Sequence, residues 1–252
     1  MSNRPETEDH ILFYSENIRA GRIHLDQGET RHLRSVLRVE TGDTIYVTDG
    51  RGTIYECRVE KLAKRSCDAT ILHEECRSAV RPSFHFYIGL PDKNPFEEVL
   101  ASLIPLGVAS ITPVQCEYCQ SPWWAKRWEK RRDRFHRKMI AAAKQSWNPN
   151  LPVLEDPIEF NNALKACRGK PLFGQPNGLS VAELARTCGE VAHFSCFVGP
   201  PGGFSPAEIE ALRGEEALPL ALSPYRLRTE HATAAMAAVL VQKFVIGARS
   251  TG

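Results

Sequence analysis

From Phe84 to the C-terminus, short apolar runs of strand length alternate with stretches of helical spacing, and this alternation restricts the fold more than any other feature of the chain. Phe84 to Leu90 is followed by Asn94 to Leu106, and Ser110 to Gln115 by a long helix near Trp123 to Gln145. The series continues with Leu172 to Gly174, His193 to Gly199 and Leu218 to Leu222, each leading into a helical stretch. Such a series predicts an α/β fold, a parallel sheet covered by helices. Before Ser78 to Pro82 the pattern differs. His10 to Tyr14, Arg22 to Leu25, Thr44 to Thr48, Thr53 to Val59 and Ala69 to His73 are rich in Ile, Val, Tyr and Thr. Gly42-Asp43 and Asp49-Gly50-Arg51-Gly52 supply turns, so this part predicts a small antiparallel barrel. The expected division is residues 1–78 and 79–252.

A chain of 252 residues can bury a core in one large or two small domains. Its net charge is only +2, so an RNA-binding surface has to come from local clustering rather than the overall field. The longest apolar run, Ala234 to Val241, is far too short to cross a bilayer. The polar start Met1 to Glu6 lacks the apolar stretch of a signal peptide, and the expectation is a cytoplasmic protein. Among eight cysteines, Cys116-Glu117-Tyr118-Cys119 has zinc-knuckle or redox spacing. A structural zinc site needs four ligands, and no second close Cys/His pair accompanies this one. Reduced structural thiols and no metal are expected.

Two stretches concentrate positive charge. In the predicted helix Glu29 to Arg38, Leu33, Val36 and Leu37 form the apolar stripe, and Arg31, Arg34 and Arg38 fall at i, i+3 and i+7 on one face. In the long middle helix Trp124, Trp128, Phe135 and Met139 form a buried stripe. Its other faces carry eight Lys/Arg in the thirteen residues from Lys126 to Lys138, Lys130 and Arg134 among them. Such a run is either a solvated face or a set of phosphate contacts that release counterions.

Phe197-Val198-Gly199-Pro200-Pro201-Gly202-Gly203-Phe204-Ser205-Pro206-Ala207-Glu208 is the strongest local motif. A buried strand ends at Gly199 and a helix starts at Ser205, an N-cap with Pro206 in the first helical position and Glu208 completing a capping box. The glycines between permit positive φ and let a ligand approach the backbone. Open α/β sheets bind ligands at this end of a strand; a rigid turn needing glycine for its geometry is the alternative. A second strand-to-loop passage, Leu220 to Ala232, leads through Arg226 and Arg228 into an Ala-, Val- and Leu-rich helix that Thr229 can cap. Either arginine is placed to bind a carboxylate or phosphate, or to be an ordinary surface residue.

These two motifs in series, with the alanine-rich helix after Arg226-Leu227-Arg228-Thr229-Glu230, resemble the C-terminus of the SPOUT methyltransferases. Among them the chain is most similar to the 16S ribosomal RNA uridine-N3 methyltransferase family. Val36-Leu37-Arg38 and Gly42-Asp43 resemble that family's PUA-like N-terminal barrel, and Leu106-Gly107-Val108, Ile111-Thr112-Pro113 and Gln145-Ser146 its central segments. The resemblance implies a deep trefoil knot holding S-adenosylmethionine, a homodimer, and ribosomal RNA or the small ribosomal subunit as substrate. It builds the methyl-donor pocket from the stretches Phe173 to Asn177, Val198 to Gly203 and Leu222 to Leu227, with Phe173, Gly174, Gln175, Pro176, Val198, Gly199, Pro200, Gly202, Gly203, Leu222, Ser223, Pro224 and Leu227 singled out as contacts. The chain departs from the family at Pro201, where an acidic residue is usual, at Lys144 and Trp147-Asn148, where Glu and Gly-Arg are usual, and at His231.

Methyl transfer from a sulfonium is an in-line displacement in which the protein aligns the nucleophile and excludes water. Arg228 is expected to orient the substrate or neutralise a developing uracil anion, with Glu230 as a candidate polar contact or proton acceptor. RNA would be gripped by Arg31, Arg34 and Arg38, by Lys130 and Arg134, and by Gln145 and Ser146. The competing readings are an inactive RNA-binding module, a methyltransferase with another RNA target, a nicotinamide enzyme and an oligomerisation scaffold. No G-x-G-x-x-G stands in the first strand–helix unit to favour a nicotinamide.

Overall fold

The computed structural model describes residues 11–36, 38–119 and 123–250, grouped in two compact units: Met1–Ser78 with Ile140–Leu151, and Ala79–Met139 with Pro152–Gly252. His10 and Leu37 lie outside the described residues, as do the side chains of Val36, Trp124 and Lys126. No described helix is long and apolar enough to cross a membrane.

The first unit is built from β1 (Leu12–Tyr14), β2 (Ile18–Arg19), β3 (Arg22–Leu25), α1 (Gln27–Val36), β4 (Thr44–Thr48), β5 (Thr53–Leu62) and β6 (Cys67–Cys76). They form one sheet in the order β1-β4-β5-β6-β3-β2, antiparallel except for β1 beside β4. Its two edge strands are consecutive in sequence, with only residues 15–17 between them. Laid flat, six strands would hold those edges roughly 24 Å apart, more than the ~14 Å that four extended residues span. The sheet therefore curls on itself around Phe13, Ile23, Leu25, Val47 and Val59. Asp26 caps α1 by accepting from the Glu29 amide at 2.8 Å, and Leu33 on that helix is fully buried. The helix ends at Val36, and Arg38 takes a left-handed φ of 52°. The three arginines thus do not share a helical face, a correction to the i, i+3, i+7 reading.

Residues 140–151 complete this unit. Lys144 Nζ reaches both carboxylate oxygens of Glu29, at 2.7 and 2.8 Å, and both side chains are largely buried. The Trp147 ring lies 5.5 Å from that of Tyr46, and the Leu151 amide donates to Gly50 O. Positions 144 and 147, where the chain departs from the family's usual segment, are thus occupied by packing partners of the curled sheet.

The second unit follows the alternating pattern: β7 (Ser83–Gly89), α2 (Lys93–Leu103), β8 (Ser110–Gln115), α3 (Trp123–Ser146, of which the residues up to Met139 belong to this unit), β9 (Val153–Leu154), β10 (Ile158–Glu159), α4 (Phe160–Lys165), β11 (Lys170–Leu179), α5 (Val181–Cys188), β12 (His193–Val198), α6 (Pro206–Gly214), β13 (Leu218–Leu220) and α7 (Thr229–Val241). All its strands pair in parallel, in the order β10-β8-β7-β12-β11-β13, with β9 also beside β8. Every residue of the central β7 is buried, as a strand covered on both faces requires. On α3, Trp128, Phe135 and Met139 are buried, with Phe135 5.2 Å from the rings of both Phe96 and Trp128. The two-residue strands β9 and β10 were too short to carry a periodicity. The strand expected at Leu172 to Gly174 runs on to Leu179 through an irregularity after Gly174.

At the amino ends of the strands, buried polar side chains form a ladder. His85 Nδ1 pairs with Ser110 Oγ at 2.8 Å and its Nε2 with Ser83 Oγ at 3.3 Å, while Ser83 Oγ lies 2.6 Å from His193 Nδ1. Burial pushes the His85 imidazole down to about 4, with Arg168 and His193 adding repulsion. A histidine that stays neutral when folded and takes up a proton near pH 6.5 when unfolded confers stability above that pH. The contribution is lost as pH falls from about 6.5 toward 4, by at most about 1.4 kcal/mol per pH unit. Melting temperature measured from pH 7.5 to 4.5 is expected to fall through this window, and the fall to be shallower in His85→Asn; parallel curves for the two proteins would show that His85 does not control it.

Candidate functional site

The glycine-rich loop is anchored at its far end by the first turn of α6. The Ser205 amide donates to Glu208 Oε2 at 2.8 Å and the Glu208 amide returns to Ser205 Oγ at 3.3 Å, the predicted capping box. Glu208 is buried, and its other oxygen accepts from the Glu117 amide at 2.9 Å, tying the turn after β8 to the start of α6. Within the loop Gly203 N donates to Pro200 O at 2.7 Å, and Gly203 has a φ of 79°, which L side chains rarely adopt. On the neighbouring strand, a Cβ added to Gly89 would stand 2.4 Å from Pro200 N. Only glycine at the end of β7 lets the loop cross there.

Arg226 and Thr229 join the two motifs. Arg226 Nη2 donates to Pro201 O at 3.0 Å, and Thr229 Oγ1 to Gly199 O, also at 3.0 Å. The stretch after β13 is thereby held against the loop after β12. Both face a third stretch, Gly174, Gln175 and Pro176, in the irregular part of β11. Together they enclose a cavity of about 410 Å³ at the carboxyl ends of the parallel strands, where sheets of this class take ligands. Its walls are mostly apolar, from Val198, Ile209, Leu222 and Leu227, with polar residues such as Gln175, Ser223 and Thr229 between them.

The cavity gathers Gly174, Gln175, Pro176, Val198, Gly199, Pro200, Gly203, Leu222, Ser223 and Leu227 of the expected donor site. Four expected residues stand outside it. Phe173 is fully buried in the core with Tyr87 and Phe197, because alternate residues of a strand face opposite sides. Gly202 backs onto Tyr118, whose Cβ would lie 2.7 Å from an added side chain, and Asn177 and Pro224 are exposed. Pro201, Tyr225 and Arg226, which fall within the expected stretches, line the cavity as well, and Phe204, Ile209, Thr229 and Ala232 line it without having been anticipated. Helical spacing was the available signal for two of them, since Ile209 lies one turn past the Ser205 cap and Ala232 one turn past Arg228. Arg228 is exposed at the N-cap of α7, and Glu230 is buried in that helix's first turn; neither lines the cavity.

The other expected residues separate by their partners. Arg134 is committed to the nearly buried Glu97, also approached by Lys138 at 3.8 Å, and this pairing lowers the Glu97 carboxyl below its ordinary range. A guanidinium so engaged is poorly placed for a phosphate. Lys130 and Gln145 are exposed, while Ser146 Oγ turns back to Ala142 O. Arg31 and Arg34 line a cleft of the first unit with Gln27, Lys64 and Arg65, the last two from the turn between β5 and β6. In the Cys116–Cys119 turn the Cys119 sulfur accepts from the Cys116 amide at 3.3 Å. The thiol–thiol hydrogen bond there raises the Cys116 pKa and lowers that of Cys119.

The sequence matches the model of an RNA methyltransferase domain over residues 80–241 and that of an RNA methyltransferase PUA domain over residues 25–72. It is 27% identical over 232 residues to the ribosomal RNA small subunit methyltransferase E of Aquifex aeolicus (strain VF5), covering 91% of this chain and 98% of that protein. A crystal structure of a ribosomal RNA small subunit methyltransferase E from Neisseria gonorrhoeae, bound to S-adenosyl methionine, is similar at a TM-score of 0.82 and 25% identity over 93% of this chain and 98% of its own. A Legionella pneumophila structure shares the fold at a TM-score of 0.83 and 24% identity, covering 93% and 98% of the two chains. The matched catalytic domain takes in the whole cavity and more than half of the sequence. The chain belongs to the RNA methyltransferase family.

Proposed function

We propose that this protein transfers the methyl group of S-adenosylmethionine to N3 of a uridine in the 16S ribosomal RNA of the small subunit. The observation that carries the reading is the cavity where the Gly199–Gly203 loop, the Leu222–Leu227 stretch and Gly174–Pro176 converge. Its volume falls in the range of roughly 300–1,000 Å³ common for small-molecule sites, and mostly apolar walls with a few polar groups suit a nucleoside carrying a thioether chain. No side chain projects from Gly199 or Gly203 to fill it, and a Cβ on Gly203 would meet nothing within 4 Å. The donor fits. The names of the Aquifex and Neisseria proteins support ribosomal RNA of the small subunit as the substrate class.

When bound, S-adenosylmethionine supplies an electrophilic methyl group on a sulfonium. Val198, Ile209, Leu222 and Leu227 exclude water from the cavity, while the Arg226 and Thr229 hydrogen bonds keep its walls together. Arg228, exposed beside the cavity-lining Leu227 and Thr229, is the side chain available to orient the uracil and offset the anion left when its N3 proton departs. Burial of Glu230 favours the role of a carboxylate at a helix N-terminus over that of a proton acceptor. Residues 1–78 serve in this reading as the RNA-gripping module, with the Gln27, Arg31, Arg34, Lys64 and Arg65 cleft on the phosphate backbone. A homodimer of this chain, implied by the family resemblance, belongs to the same proposal.

Three measurements test the reading. Titration calorimetry is expected to show the wild-type protein binding S-adenosylmethionine, with Gly203→Val weaker by about ten-fold or more, because strain of about 1–3 kcal/mol drives its turn away from the cavity. Equal affinities would remove the loop from the site. With labelled donor, unmethylated small subunits and nucleoside analysis, Arg228→Ala is expected to lose about 10²-fold in kcat with donor affinity retained; a normal rate rules out its assigned role. For the cleft, Lys64→Ala combined with Arg65→Ala should make RNA affinity less salt-sensitive, reducing the log–log slope by about 1.4 for two phosphate contacts on single-stranded RNA. An unchanged slope places the RNA elsewhere.

A further inference from the structure

Tyr225 is 82% exposed, the most exposed of the large hydrophobic residues among those described. Leu72, Tyr118, Val153 and Ile246 are also open, at 43–57%, but none of them lines the donor cavity, and Tyr225 does. Its backbone is fixed on both sides. The Tyr225 amide donates to Ser223 Oγ at 3.1 Å, and the next residue, Arg226, is pinned to Pro201 O. A ring on an anchored backbone, open to solvent at the rim of a cavity, loses little freedom when a planar partner lies against it. Exposed guanidinium groups follow at Arg226 and Arg228.

A flat apolar ring followed closely by exposed cations is the chemistry that receives an unstacked nucleobase together with its phosphate. An enzyme acting on a base needs such a receiver, because the target has to leave its stack before reaching the reactive atom. We propose that Tyr225 is the platform on which the target base stacks at the mouth of the donor cavity, and so a positioning residue for RNA rather than for the methyl donor. The assignment rests on the methyl-transfer reading above. It depends on the ring and not on the hydroxyl.

The test uses full-length protein, S-adenosylmethionine and unmethylated small ribosomal subunits. Tyr225→Ala is expected to lower kcat/KM for the subunits by about 5- to 150-fold, the loss seen when alanine replaces a stacking aromatic. Donor affinity by calorimetry should stay within about two-fold, and Tyr225→Phe should behave as wild type. An unchanged kcat/KM in the alanine variant overturns the proposal. So does a loss of donor affinity that accounts for the whole defect, or a phenylalanine variant as impaired as alanine. Altered sedimentation with unaltered RNA kinetics would give the ring to a contact between copies of the chain, and overturns it too. If the wild-type protein binds the donor yet methylates no RNA, it is the functional reading that has failed; if wild type is active and Tyr225→Ala equally so, only the platform has.

Discussion

Two hydrogen bonds onto backbone carbonyls, from Arg226 to Pro201 and from Thr229 to Gly199, close loops that lie 25 and 30 residues apart in sequence. Each loop alone is a strand-to-helix passage with an exposed rim. Joined, they become the two walls of one cavity, and Gln175 and Pro176 of β11 supply the third. Glycine makes the closure possible sterically: the Pro200 backbone passes so near the end of β7 that any side chain at position 89 would collide with it. The part-buried Gly199 carbonyl left without its donor costs about 1–3 kcal/mol at most, so that bond also disfavours the open arrangement.

The parallel sheet explains why the cavity forms at this end. All its strands point the same way, and their connections divide between an amino and a carboxyl edge. At the amino edge, side chains satisfy one another: Ser83, His85, Ser110 and His193 form a hydrogen-bonded set, and Ser195 Oγ both accepts from the Arg168 amide and donates to its carbonyl. At the carboxyl edge the loops rely on caps and on each other. Glu208 shows the economy of that edge, since one buried carboxylate closes the α6 capping box and holds the turn after β8.

How far the sequence could be read depended on the range of the interaction involved. The Ser205-Pro206-x-Glu208 cap and the glycine turn act within a few residues, and they stand where local chemistry puts them. Long strands and helices were visible in their periodicity. β9 and β10 were not, because two residues have no period. Arg31, Arg34 and Arg38 looked like one face only on the assumption that the helix continued, and it stops at Val36. Arg134 looked free for a phosphate until Glu97, 37 positions earlier, was found against it. Lys64 and Arg65 carried no signal at all, since a turn shows nothing of the helix it faces.

Binary pattern, turn residues and caps therefore determined the fold class and the strand-to-helix loops, because these follow from the chain's own short-range preferences, while the residues expected around the cavity came from the family resemblance. Tertiary structure decided which loops meet, which charges are already spent in ion pairs, and that Phe173 faces the core while Tyr225 faces solvent. Those outcomes hinge on the register and facing of strands brought together from distant parts of the chain. A one-residue shift in a strand exchanges its two faces, and the residues on either side of Gly199 do not record where Arg226 will come to rest.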